Sequence, residues 1–210
     1  MSLRTTVLAS GGGTNLQTVI DAIDEGFVAL ELCSVIANRA DAFALERARR
    51  AGIPARALVW DRTALSREAY DEELLALVAS SEPELVLLLG WMHVLSRAFV
   101  ERFPTILNIH PAYLPLDPRA DEVVVPDGTT IPAFRGAHAI RDAIAAGSRW
   151  YGVSVHRVGT EVDRGEIIER RAVPLNAKTP EEALEALRPV EREVLRAALR
   201  RYCDSLNLKP

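Results

Sequence analysis

The chain reads as an open, doubly wound α/β fold: a mostly parallel sheet with helices on both faces. Three observations predict it. Through the first half, short apolar segments alternate with amphipathic helical ones, the pattern of consecutive βα units. Glu84 to Gly90 (Glu-Leu-Val-Leu-Leu-Leu-Gly) is a nearly unbroken apolar run, as a central parallel strand covered on both faces requires. The first strand, Thr5 to Ser10, passes through a glycine turn straight into a helix.

That turn is Gly11-Gly12-Gly13-Thr14-Asn15. Thr14 followed by Gln17 has the form of a capping box, and Leu16, Val19, Ile20 and Ile23 make an apolar helical face. Free amides at a helix N-terminus favour an anion, and glycines let it come close. Leu16 stands where a dinucleotide fingerprint needs its third glycine, and no Gly-Lys-Ser/Thr follows. The turn therefore fits a single phosphate monoester better than a dinucleotide or a nucleoside triphosphate, or else it is a tight βα connection with no ligand.

A second strand is expected over 31–38, a basic-faced helix over 42–51 ended by Gly52, and a short strand over 55–59. Ser66 opens a further helix whose apolar side is Leu74, Leu75, Leu77 and Val78. After the central strand, Gly90-Trp91-Met92-His93-Val94-Leu95 could line a slot for a flat aromatic ligand or merely plug the core beneath the helix that Ser96 starts. His93 on these grounds is an exposed bystander.

Length and composition set bounds. The 210 residues fit one domain, 1–210, with halves near 1–100 and 101–210. A net charge of −4 without a Lys/Arg-rich block argues against nucleic acid, and no apolar run is long enough to span a bilayer. The N-terminus does not read as a signal peptide, and Cys33 and Cys203 lack metal-ligand spacing. A cytoplasmic chain acting on small molecules is expected.

The most chemical stretch is Leu107 to Pro115 (Leu-Asn-Ile-His-Pro-Ala-Tyr-Leu-Pro). Asn108 and His110 are two apart on an apolar strand end, so they point the same way, and Pro111 stops the ladder. Ligands of open α/β sheets bind at that edge. An amide beside an imidazole suits a developing oxyanion. Downstream, His138 falls in the first turn of a helix over about 137–146, in a solvated or capping role. Gly152 to Val158 alternates as a strand, with Ser154 and His156 on one face and His156 read as a structural histidine. Asp163, before Arg164-Gly165, is on its face a turn residue. Thr179-Pro180-Glu181-Glu182 caps a helix that Pro189 should interrupt. Beyond Pro189, Glu191 heads the stripe Leu195, Leu199, Tyr202, placed to bind a diol or to stabilise the helix dipole.

Taken together, these residues resemble the glycinamide ribonucleotide formyltransferases, folate-dependent enzymes of purine synthesis. The likeness runs through Ser10–Asn15, Ala40–Arg49, Ser66–Asp71, Gly90–Met92, Asn108-Ile-His-Pro111, Gly152–His156 and Val162-Asp163. It implies catalysis by Asn108, His110 and Asp163, with a protonated His110 kept charged by Asp163 and no metal. It implies that Gly12, Gly13, Thr14 and Asn15 hold the substrate phosphate and Glu191 the ribose. The co-substrate 10-formyltetrahydrofolate would lie against Met92, His93, Val94, Leu95, Thr160, Glu161, Val162 and Asp163. A 10-formyltetrahydrofolate deformylase, another amine formyltransferase and a non-catalytic nucleotide-binding module are the rival readings.

Three features depart from that family. His93 stands where an Arg is frequent, and Arg188 where Gln is more usual. The segment of about 116–131 is extra. Within it, two β-branched runs flank Pro126-Asp127-Gly128, which predicts a β-hairpin that folds over the cleft or pairs with a second copy as a homodimer.

Overall fold

Strand β1 (Leu3–Ala9) is buried along nearly its whole length, so it belongs at the middle of a sheet rather than at its edge. The structure, a computed structural model, describes residues 2–209. Among these, seven strands form one sheet in the order β3-β2-β1-β4-β5-β8-β9, and β6 and β7 form a separate pair. Strand β1 pairs in parallel with β2 and β4, and β2 with β3, whereas β8 and β9 run antiparallel. The fold is thus α/β with a mostly parallel sheet. The chain divides into two compact units, 1–107 with 202–210 and 108–201, and the division falls within β5 (Ile106–His110).

In the first unit, β1, α1 (Thr14–Asp24), β2 (Leu30–Ala37), α2 (Phe43–Arg50) and β3 (Ala55–Ala57) follow in βα order. Next come α3 (Arg67–Ala79), β4 (Leu85–Leu88) and α4 (Arg97–Arg102). Ser66 and Ser96 cap α3 and α4 as their sequence positions predict, each accepting a backbone N–H at 3.2 Å. All four residues of β4 are buried, as its unbroken apolar run demands. The α3 face is narrower than expected: Tyr70, Leu74 and Val78 are buried, while Leu75 and Leu77 are only half-buried.

The start of α1 differs from the capping-box expectation. Gly13, not Thr14, is the N-cap, at φ 69°, and no side chain caps the helix. Thr14 is already helical, so its hydroxyl cannot reach back to an N3 amide. A side chain at Gly13 would be strained by that φ and would also collide with α2, its Cβ lying 2.7 Å from the Ala44 Cα. Glycine is required at this position by the α1–α2 contact.

The second unit holds the end of β5, the hairpin strands β6 (Glu122–Val124) and β7 (Thr130–Pro132), and α5 (Ala139–Ala145). It continues with β8 (Trp150–Arg157), β9 (Ile167–Pro174) and most of α6 (Pro180–Ser205). The extra segment folds as the hairpin its sequence predicts. Gly128 takes φ 87°, its amide donating to the Val125 carbonyl at 2.9 Å to close the turn around Pro126 and Asp127. Val123, Val125 and Ile131 are buried together and pack on Tyr113, Phe134 and Trp150. That apolar cover is what a lone two-stranded ribbon needs to persist in water. Its inward face is therefore spent within its own unit.

Helix α6 also departs from expectation. Thr179 caps it, with Pro180 in its first turn, but Pro189 lies inside one continuous helix instead of dividing two. Proline costs one backbone hydrogen bond there. The buried stripe Leu187, Val194, Leu195, Ala198 and Leu199 spans the interruption and outweighs it.

The two middle glycines of the turn differ sharply in what they tolerate. Gly13→Ala should destabilise the chain by about 1–2 kcal/mol from the left-handed backbone alone, with more from the Ala44 collision. Gly12→Ala, whose Cβ would meet nothing within 4 Å, should be near neutral. Parallel thermal melts check this; at roughly 2–4 °C per kcal/mol for a chain of this size the two should separate cleanly.

Candidate active site

Alternation along β5 puts Asn108 and His110 on one face, and alternation along β8 does the same for Ser154 and His156. Ser154 is a brace: its hydroxyl donates to the Ala112 carbonyl at 2.8 Å and accepts the Leu114 amide at 3.0 Å, fixing the chain just after His110. The turn after β8 then brings in Asp163. Gly165 lets it do so, because a Cβ there would lie 1.6 Å from the Arg157 carbonyl oxygen.

Asp163 is the centre of the cluster, its side chain only 10 % exposed. Oδ2 accepts the Gly136 amide at 2.7 Å and faces His110 Nδ1 at 3.4 Å. Oδ1 faces His156 Nε2 at 3.3 Å and Asn108 Nδ2 at 3.4 Å. The residue sits at φ 52°, uncommon for a non-glycine and found where surroundings fix the backbone. Burial pushes its carboxyl pKa up, but the His156 hydrogen bond, the His110 charge and the Gly136 amide outweigh burial and hold it at about 2.

His110 is buried, and both ring nitrogens face acceptors: Nε2 donates to the Phe134 carbonyl at 2.8 Å, and Nδ1 faces the carboxylate. That geometry satisfies an imidazolium. Burial nevertheless lowers the imidazole pKa below its ordinary value, with Asp163 and the Phe134 carbonyl opposing it and His156 and Arg135 adding to it. The expectation of a standing positive charge is thus modified: the partners for the charge are in place, but burial weakens it.

His156 is the residue that sequence reading set aside. Its Nδ1 donates to the Arg157 carbonyl at 2.7 Å, and its Nε2 lies 3.2 Å from Asn108 Nδ2 and 3.3 Å from Asp163 Oδ1. The alternation of β8 had marked its face, but nothing local showed that Asn108 and Asp163 would share it. Arg135 and Gly136 were missed likewise, since both act through separations of more than twenty residues. His138 is exposed at the N-cap position of α5, without a side-chain capping bond.

In the first unit, the glycine turn and the segment after β4 lie side by side. Ser10 Oγ accepts the Met92 amide at 3.0 Å, tying the C-terminal ends of β1 and β4. With β2 and β3 on one side and β4 on the other, β1/β4 is a topological switch point, the place where such sheets bind ligands. A cavity of about 480 Å³ opens there, with Ser10, Gly11, Asn38, Gly90, Met92 and His93 in its lining. Arg47 covers the turn, donating to the Gly12 carbonyl at 2.9 Å and to Gln17 at 3.0 Å. Thr14 is exposed and Asn15 half-buried.

His93 is not a bystander. It is half-buried in an aromatic box, edge-on to Trp60, Tyr70 and Trp91, with its Nδ1 buried and unpartnered. Burial, then Arg67 and Arg62, lower its pKa. Arg67 also donates to the Val94 carbonyl, so the backbone of this segment is held while Met92 and Val94 stay 58 % and 66 % exposed. Leu95 is half-buried. In the second unit Thr160, Glu161 and Val162 are exposed on the turn leading to Asp163, and Glu191 is half-buried on α6. Among the described residues no group of three His, Cys, Asp or Glu is placed to hold a metal, and no helix is long and apolar enough to cross a membrane.

Comparison with known proteins accords with this geometry. The formyl transferase family model matches residues 3–117 and 128–199. The phosphoribosylglycinamide formyltransferase of Escherichia coli (strain K12) is 39 % identical over 86 % of this chain and 77 % of its own length. That of Haemophilus influenzae is 35 % identical over 89 % and 79 %. The crystal structure of glycinamide ribonucleotide transformylase 1 from Symbiobacterium toebii superposes with a TM-score of 0.83 at 35 % identity, covering 97 % of this chain and 89 % of that one. The chain belongs to the formyl transferase family, among the phosphoribosylglycinamide formyltransferases.

Proposed function

We propose that this chain transfers the formyl group of 10-formyltetrahydrofolate to the amine of glycinamide ribonucleotide, a step of purine synthesis in the cytoplasm. The observation that carries the reading is the buried cluster of Asn108, His110 and Asp163, with contacts of 3.4 Å between Asp163 and each of the other two. The folate supplies the formyl carbon. The amine attacks it, and negative charge develops on the formyl oxygen. Asn108 stabilises that oxygen by donating a hydrogen bond, and the His110 imidazolium, whose Nε2–H is held by the Phe134 carbonyl and whose Nδ1–H faces Asp163, stabilises it by its charge. The Asn108–Asp163 contact is long for a hydrogen bond, so that N–H can turn to the oxyanion at little cost. Asp163 favours the imidazolium of His110 and, through water, helps move the proton released by the amine to N10 of the folate, which leaves as its bond to the tetrahedral carbon breaks.

In the first unit, the amides of the Gly12–Asn15 turn are suited to the phosphate of the ribonucleotide, at a helix N-terminus and a sheet switch point. Glu191 would hold the ribose hydroxyls. For the pterin, the first unit would offer Met92, His93, Val94 and Leu95, and the second unit Thr160, Glu161 and Val162. The direct test is incubation with 10-formyltetrahydrofolate with and without the ribonucleotide. Ribonucleotide-dependent loss of formyl folate supports the transferase. Equal loss without it would mean a deformylase, and no loss would leave a binding module.

Asp163→Asn should lower kcat by about 10²–10⁴-fold, the usual range for a proton-transfer group, with ribonucleotide KM little changed. Near-normal turnover would remove the charged-imidazole mechanism.

The phosphate turn is best probed at Gly12, because Gly13 has a packing role of its own. Gly12→Val adds a side chain that meets no protein atom within 4 Å at its Cβ, so its effect falls on the ligand. The ribonucleotide KM should rise by about tenfold or more, the equivalent of one lost charge-assisted contact, while the folate KM stays constant. A matching rise in both would assign the turn to structure alone.

The charges also govern stability. Asp163 titrates lower in the folded chain than in the unfolded one, at about 2 against about 3.9, so its contribution is present above pH ~4 and lost on acidification towards 2. His110 is lowered as well, so the unfolded chain takes its proton first. Stability then also declines as pH falls below about 6.5, the unfolded value. Denaturant melts from pH 3 to 8 should show both declines, and Asp163→Asn should flatten the lower one.

A further inference from the structure

Residues 118–127 lie outside the two stretches that the family model matches, yet this segment reaches the turn of the buried carboxylate. Asp121 stands at the base of the β6–β7 hairpin, where its carbonyl accepts the Ala133 amide at 2.8 Å. Its carboxylate takes two guanidinium groups on one oxygen, Arg164 Nη2 at 2.5 Å and Arg135 Nη1 at 3.3 Å. Carbonyls of the same segment complete the hold: Arg164 Nη1 donates to Pro118 at 2.9 Å and Arg135 Nη2 to Ala120 at 2.7 Å.

Both arginines lead to Asp163. Arg164 follows it in the chain. Arg135 Nε donates to the Asp163 carbonyl at 3.1 Å, and the next residue, Gly136, supplies the amide that binds its carboxylate at 2.7 Å. The left-handed backbone of Asp163 is therefore gripped on its carbonyl, its carboxylate and its following side chain at once.

Asp121 is 76 % exposed, and a single exposed ion pair would contribute little. The arrangement here is different, because one carboxylate bridges two cations that repel each other. The Arg135 side chain is only 13 % exposed, and its own burial and the nearby Arg164 both disfavour its charge, while Asp121 and Asp163 favour it. Without Asp121 the two like charges would face each other beside a backbone conformation that persists only under constraint.

We propose that Asp121 is a positioning residue for the formyl transfer described above: through Arg135 and Arg164 it locks the Asp163 turn so that the carboxylate faces His110. The proposal rests on that functional reading, and the hairpin, with its buried Val123, Val125 and Ile131, is the rigid base from which Asp121 acts.

The test compares the full-length chain with Asp121→Asn and Asp121→Glu, by steady-state kinetics across pH and by hydrogen exchange. In Asp121→Asn, kcat should fall by about tenfold or more, as misplacement of a catalytic group does, with both KM values held within about twofold. The groups around His110 are Asp163, His156 and Arg135, and of these only Asp163 raises its pKa. Loosening the turn should therefore move the pH limb that reports the His110 imidazolium to lower pH. Asp121→Glu should recover most of the wild-type kcat. Amides of 159–166 should exchange about tenfold faster in Asp121→Asn while those of β6, β7 and β8 keep their protection.

An unchanged kcat, an unchanged turn, or loss of protection in the hairpin together with the turn would each overturn the proposal. A wild-type chain that transfers no formyl group would instead defeat the functional reading, and the exchange comparison would still decide whether Asp121 locks the turn.

Discussion

The carboxylate of Asp163 is the interaction on which the rest of the site depends. A buried charge is tolerated only when it is paired and hydrogen-bonded. Here the partners come from three directions: Asn108 and His110 from β5, His156 from β8, and the amide of Gly136 from the approach to α5. Each of those elements must therefore hold its register. A shift of one residue in β8 would turn His156 to the other face, and a Cβ at Gly165 would drive the turn off the Arg157 carbonyl. Satisfying one charge thus fixes strand faces, a glycine and a strained backbone together.

The first unit obeys a different constraint, which is steric. Gly13 must be glycine for its left-handed backbone and because α2 leaves no room at its Cβ. The open space lies instead at Gly11 and Gly12, and Gly11 lines the cavity that the strand ends leave. One glycine run therefore carries two tasks: its last member packs a helix, and the first two leave their surface clear.

Much of this was legible in the sequence because the relevant forces are local. The apolar run of β4, the serine caps of α3 and α4, and the Pro126-Asp127-Gly128 turn are each settled by neighbouring residues. The pairing of Asn108 with His110 was legible too, since strand alternation aims them together. What escaped depended on distant partners. Gly13 displaced Thr14 as the cap because of Ala44 on another helix. Pro189 failed to break α6 because a buried stripe crosses it. The partners of His156 escaped because Asn108 lies 48 residues away. Each reading failed at a tertiary contact rather than at a propensity.

Burial does two opposed things in this cluster. It disfavours a positive charge on His110, so the imidazole titrates below its ordinary value. It also places that ring in surroundings where charges act on one another more strongly than in water, with acceptors fixed at both nitrogens. The balance between these effects turns on whether a further negative charge is nearby. In the ground state of an amine and a formyl group there is none, and as the carbon becomes tetrahedral the oxygen acquires one. In the proposed reaction the imidazolium would then be favoured from two sides, by Asp163 and by the oxyanion, at the moment the barrier is crossed. Groups held in advance by strands and a locked turn would in that reaction need to reorganise little to meet that charge, and the stabilisation would fall on the transition state rather than on the bound substrates.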